Sequence, residues 1–149
     1  MRKSQAASEY IILIGILFVL LIPILYYTLT TSNENVRLNQ ANDAVVTLAK
    51  AADTVYSLGP GNKKFVWVTI PSGAKMAING NEITMKLSIY GSESDVYQTT
   101  KGTLEAGKIG DSTISSNLIN PSNIGRGTYN VKVEYQEVQG TVLIGEKVS

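Results

Sequence analysis

Residues 10 to 33 carry no charged side chain, and this stretch limits what the chain can become more than any other feature. Its first part, residues 10 to 27, reads YIILIGILFVLLIPILYY. As an α-helix it would extend about 27 Å, close to the hydrocarbon thickness of a bilayer. The core helix of a small soluble domain keeps a polar face, whereas this segment is apolar all round. A cleaved secretory signal has a shorter apolar region followed by an Ala-x-Ala-like site, but here the chain continues TLTTSNEN. Tyr10 at one end and Tyr26 with Tyr27 at the other stand where aromatic side chains favour the headgroup boundary. A retained transmembrane helix is the favoured reading of the three. Arg2 and Lys3 are the only cations before it, so the amino terminus is expected to stay cytoplasmic and the bulk of the chain to be exported.

Composition removes most chemistry. The chain has 149 residues, about one domain's worth, with no cysteine and no histidine. That leaves no disulfides, no thiolate or imidazole metal sites, and none of the commonest catalytic triads and bases. The 13 cations and 12 acids are scattered, so no surface is expected to attract nucleic acid. Neither an enzyme nor a cofactor-dependent protein is indicated.

The segment before the apolar run, RKSQAASEY, is more specific. It resembles the amino terminus of archaeal type IV pilins, which carry a class III signal peptide. In that family a short basic leader is cut just before a glutamine, with a glutamate four residues on and an apolar helix after it. Gln5 and Glu9 have that spacing, and Tyr10 matches the aromatic that follows. The resemblance implies cleavage between Ser4 and Gln5. Two residues depart from the pattern: Ser4 stands where glycine is more frequent, and Ala7 stands where serine is common, with Ser8 beside it. Serine is small, so Ser4 still suits a peptidase pocket. The resemblance further implies a prepilin peptidase, a pilus assembly platform and its ATPase as partners. It also implies self-association into a helical homopolymer.

Cutting on the cytoplasmic side leaves the apolar segment on the mature protein, and the signal becomes an assembly helix. Loss of residues 1 to 4 removes Arg2 and Lys3, changing the side-chain charge from +1 to −1. If subunits then leave the bilayer, roughly 18 apolar residues exposed to water would cost tens of kcal/mol unless helices bury one another. Glu9 has two readings: a carboxylate solvated at the interface or favoured by the helix dipole, or, as the resemblance implies, a group read by the peptidase or paired with the Gln5 amine of a neighbour. Gly15 and Pro23 are tolerated in membrane helices as packing and kinking residues, and Pro23 would allow a local bend.

Beyond Thr31 the helix is expected to continue, because Ala41, Ala44, Val45, Leu48, Ala52, Val55 and Tyr56 recur at three and four while Asn42, Asp43, Lys50 and Asp53 face elsewhere. Gly59 and Pro60 should end it at Leu58, after about 80 Å. The YSLGPG junction also resembles that of the pilin group. From Lys63 the pattern changes to period two. Residues 65 to 70, FVWVTI, are stopped by Pro71; Asn79-Gly80 signals a type I′ hairpin; and Tyr129, Val131, Val133 and Tyr135 alternate with polar residues, with residues 138 to 144 pairing back. Residues 91 to 127, rich in Ser, Thr, Gly and Asn, read as loops and edges with short strands at 96 to 100 and 113 to 119. The expected architecture is α+β: leader 1 to 4, membrane and assembly helix 5 to 58, and a head over 62 to 149 forming a small antiparallel β-sandwich, immunoglobulin-like, or a barrel.

The head offers little chemistry. Glu93, Asp95 and Asp111 could offer oxygen ligands to calcium, yet their spacing fits no loop signature. Tyr90, Tyr97 and Tyr129 could serve adhesion, although strand tyrosines usually pack. The expected function is therefore a structural filament subunit, a membrane protein as precursor and extracellular when mature. A monomeric membrane-anchored binding module is the alternative.

Overall fold

In a computed structural model the backbone is described for residues 2 to 147 and the side chains for residues 9 to 147. Met1, Val148 and Ser149 lie outside the described residues, and with them the first residue of the expected leader and the last two of the expected head. One helix, α1 (Arg2–Leu58), runs through Pro23. Pro23 has no amide to give the carbonyl one turn back, a loss that helices tolerate where neighbours or side chains compensate. The helix ends as the sequence implies. Gly59 takes a left-handed φ of 82° and its N–H donates to the Val55 carbonyl at 3.2 Å. The Asn62 amide then donates to the Leu58 and Gly59 carbonyls at 3.0 and 3.1 Å, satisfying acceptors that a helix end leaves orphaned.

The chain separates into two compact units inside this helix, Met1–Val36 and Arg37–Ser149. In the second unit, helix residues Ala41, Ala44, Val45, Leu48, Ala52 and Val55 are buried, with Ala49 and Ala51 beside them. Asn42, Asp43 and Lys50 are exposed, as their spacing requires. Asp53 is half-buried and has a task the periodicity did not reveal: its carboxylate accepts the Lys101 backbone N–H at 2.7 Å.

Ten strands follow: β1 (Lys63–Ile70), β2 (Lys75–Asn79), β3 (Glu82–Ile89), β4 (Ser92–Thr99), β5 (Leu104–Ala106), β6 (Lys108–Ile109), β7 (Ser112–Thr113), β8 (Ser122–Asn123), β9 (Gly127–Gln136) and β10 (Thr141–Ile144). They form two four-stranded sheets, ordered β1-β9-β10-β5 and β4-β3-β2-β8, and a small β6-β7 pair. A single core cluster takes side chains from the helix and from both larger sheets: Leu48 and Val55 from the helix, Val68, Val131 and Val142 from one sheet, and Met76, Ile83 and Met85 from the other. Burial of large aliphatic side chains against each other is what stabilises so small a domain without disulfides.

Three expectations need correction. The sheets are mixed rather than wholly antiparallel, because β5 lies parallel to β10, with Val142 beside Leu104 and Ile144 beside Ala106. β5 enters from β4 of the other sheet and is held at its start by the Leu104 N–H on the Gly80 carbonyl, so its direction is set by that crossing and not by a hairpin. Second, the β2–β3 loop is Gly80-Asn81, since Asn79 pairs with Glu82. Gly80 has φ 59° and Asn81 is not among the positive-φ residues, which is the pattern of a type II′ turn, not type I′. The I′ pattern occurs instead at Tyr90-Gly91, with φ of 51° and 76°. Third, residues 92 to 99 form a full eight-residue strand paired along β3, whereas 113 to 119 contributes only the end of β7 and a bridge at Ser115. β4 was illegible because it is an edge strand with mostly exposed polar residues, so no apolar alternation marks it.

Candidate functional site: the uncovered apolar helix

The first unit is a helical segment whose large apolar side chains, among the described residues, are exposed. Every large apolar residue from Tyr10 to Leu29 is exposed, from 39% at Leu21 to 74% at Tyr26. The span Glu9–Leu58 contains a window long and apolar enough to cross a membrane, and none of that window is buried. Soluble proteins rarely leave contiguous apolar surface of this size in water, and a segment of this length and composition near the amino terminus is a candidate membrane anchor or signal sequence.

Local chemistry fits such surroundings. Thr28 and Thr30 donate their hydroxyls to the Ile24 and Tyr26 carbonyls at 2.8 and 2.9 Å, which hides both hydroxyls within the helix. A Cβ on Gly15 would meet only open space, so no contact within the chain demands glycine there, while a small residue permits close approach of another helix. Glu9 is exposed at the amino-terminal edge of the uncharged run. Ser4 and Gln5 lie in the helical backbone, and their side chains are outside the described residues. The structure therefore gathers no cluster from Ser4, Gln5, Glu9 and Pro23; they are strung along one helix.

In the head, Glu93, Asp95 and Asp111 are all exposed, and Asp95 pairs with Lys86 at 3.5 Å. Among the described residues no group of three or more acids is placed to hold a metal ion. Tyr97 is 65% exposed, but Tyr129 is half-buried among glycines. A Cβ on Gly110 or Gly127 would press on its ring, and its hydroxyl donates to the Gly125 carbonyl at 2.9 Å. Tyr129 is thus a packing residue rather than an adhesive one.

The sequence reading missed the outer face of β1. Val68 and Ile70 point into the core, so Phe65 and Trp67 point out, 57% and 70% exposed. Across the ladder stand Lys132 opposite Phe65 and Asn130 opposite Trp67. Further along β9, the Lys132 ammonium donates to the Glu134 carboxylate at 2.8 Å. That bond holds the Glu134 carboxyl below the ordinary carboxylate range; partial burial opposes the shift and the nearby Lys63 charge assists it.

Comparison with protein-family models, with curated proteins and with solved structures yields no match to this chain.

Proposed function

We propose that the protein is a structural subunit of an archaeal type IV pilus-like extracellular filament, made as a membrane precursor and trimmed between Ser4 and Gln5. A prepilin peptidase makes the cut, and an assembly platform with its ATPase draws the subunits from the bilayer into a helical homopolymer. The observation that carries this reading is the contrast within one helix. Residues 41 to 55 already bury their apolar face in the head, whereas residues 10 to 29 expose apolar surface on every side. A bilayer covers that surface before assembly, and a bundle of identical helices covers it afterwards, each avoiding tens of kcal/mol of apolar exposure. Gln5, Glu9 and Tyr10 supply the processing pattern, and Pro23 supplies a point where the helix can bend in the filament.

The head completes the subunit as an immunoglobulin-like sandwich. Two four-stranded sheets sharing one core support that finer reading, as does Tyr129. This residue lies near the start of β9 and its hydroxyl returns to the backbone four residues upstream, as in the tyrosine corners of such folds. On the filament surface the heads serve adhesion.

The test is substitution at the processing site combined with shearing of cells. Wild-type cells should release filaments containing the protein, and cells carrying Gln5→Pro or Ser4→Trp should retain it, uncut, in the membrane. Filaments that are unchanged by both substitutions would overturn the proposal. Wild-type protein that stays with the membrane on shearing would favour a monomeric anchored binding module, which the same span supports.

A further inference from the structure

The outer face of the β1–β9 pair combines exposed aromatic rings with balanced hydrogen-bonding groups beside a ligand-sized cleft. Phe65 and Trp67 are two residues apart on β1, so their side chains leave the same face about 7 Å apart. Trp67 is the only tryptophan in the chain, and leaving it 70% exposed forgoes the burial that a large aromatic normally contributes. Phe65 and Asn130, the ladder partner of Trp67, line a cleft of about 560 Å³, within the range of small-ligand sites. Phe65 lines it from β1, Asn130 and Lys132 line it from β9, and Lys108 and Glu146 line it from the other side.

The cleft exists because the ladder is incomplete. β10 pairs with β9 only from Gln136 back to Val133, and Gly145 adds a bond to the Lys132 carbonyl. Below that point the chain turns to pair Glu146 with Lys108, and residues 127 to 131 of β9 keep β1 as their strand partner on one side. The opening left on the other side is where the polar groups converge.

Its chemistry selects among ligands. An apolar helix or peptide would be poorly served, because Lys108, Lys132 and Glu146 line the cleft and Lys132 and Asn130 stand opposite Phe65 and Trp67 in the ladder. A polyanion would need a net positive patch, yet Lys132 is engaged by Glu134 and Lys108 shares the cleft with Glu146. A pyranose ring suits both features: its C–H face stacks on an aromatic plane, while its rim hydroxyls both donate and accept. Asn130 offers both functions, Lys132 donates and Glu146 accepts. We infer that the cleft and the Phe65–Trp67 platform form a binding site for a neutral glycan. The site does not depend on filament assembly and would operate equally on an anchored monomer.

Trp67 is its own reporter, being the sole tryptophan. The full-length protein in detergent is titrated with neutral hexasaccharides of glucose, mannose, galactose and N-acetylglucosamine at up to millimolar concentration, with emission and acrylamide quenching recorded. At least one sugar should shift the emission to the blue and protect the ring. By calorimetry Trp67→Ala, Phe65→Ala and Asn130→Ala should each weaken that sugar by about tenfold, the loss expected for one stacking or hydrogen-bonding partner, whereas Trp67→Phe retains most of the affinity. The melting temperature should be unchanged in all four variants, since these side chains are exposed. The inference is overturned if no sugar protects Trp67, if binding survives Trp67→Ala, or if only anionic saccharides bind and salt abolishes it. Gln5→Pro protein, which keeps Trp67 as the sole tryptophan and is expected to stay uncut, should bind the sugar as wild type does, so failure of the filament reading and failure of this one are told apart.

Discussion

Residues 9 to 36 and 37 to 58 belong to the same helix but satisfy their side chains differently. The later segment is amphipathic and complete within the chain: Leu48 and Val55 are fully buried. The earlier segment is apolar all round, with Ile11 at 71% and Val19 at 70% exposure. Both segments are α-helical, and apart from the amide missing at Pro23 their backbone ladders are alike, so secondary structure alone does not distinguish them. What differs is the partner: the head covers one segment, whereas the other is left exposed and is assigned by our proposal to lipid or to other copies.

The largest effect is expected from placing a charge where the account puts lipid. Leu17→Lys, near the middle of the uncharged run, costs about 3 kcal/mol of insertion free energy on a biological scale. It should shift the protein out of the membrane fraction and abolish sheared filaments, with the thermal unfolding of the head unchanged. Head unfolding that moves with this substitution would break the separation of the two segments.

The reverse experiment is Leu48→Ala. Removing a fully buried leucine should destabilise the head by about 2–5 kcal/mol in denaturant unfolding, while leaving the precursor in the membrane.

A third substitution sharpens how the carboxyl end of the helix meets the head. Tyr56 lies against Tyr135, ring centroids 6.1 Å apart, and a Cβ on Gly102 would overlap the Tyr56 ring. Gly102→Ala should cost about 1–3 kcal/mol. Pairing it with Tyr56→Ala should recover part of the loss, and strict additivity in a double-mutant cycle would contradict the contact.

The smallest effect belongs to Glu134. Because its folded-state carboxyl is shifted down, its contribution is present above the ordinary carboxylate range and fades as pH falls through the lowered value. Glu134→Gln should therefore destabilise by at most about 1 kcal/mol at neutral pH, and the difference from wild type should vanish in acid. A penalty that persists at low pH would assign the loss to packing.

The same division governs what was legible beforehand. The helix end at Gly59-Pro60, the stop of β1 at Pro71 and the dry face of β9 through Val131 and Val133 were all readable, because each rests on local backbone chemistry or on alternation. β4 was not readable as a full strand, since a polar edge strand lacks the apolar period. The parallel β5 was not readable either, because its direction depends on a tertiary crossing. In FVWVTI apolar residues occupy both phases of the period, so nothing in the pattern told Val66 and Val68 from Phe65 and Trp67. Only the burial of Val68 and Ile70 assigns the outer face. The long exposed apolar helix was legible from its lack of charge, whereas the proposed processing rests on the Gln5 and Glu9 spacing, outside what packing can decide.

The most direct test of the central claim is the intact mass of the protein sheared from the cell surface. The account predicts a chain lacking residues 1 to 4, beginning at Gln5 or its cyclised form. A mass equal to the uncut chain, or one that begins beyond Tyr27, would contradict it.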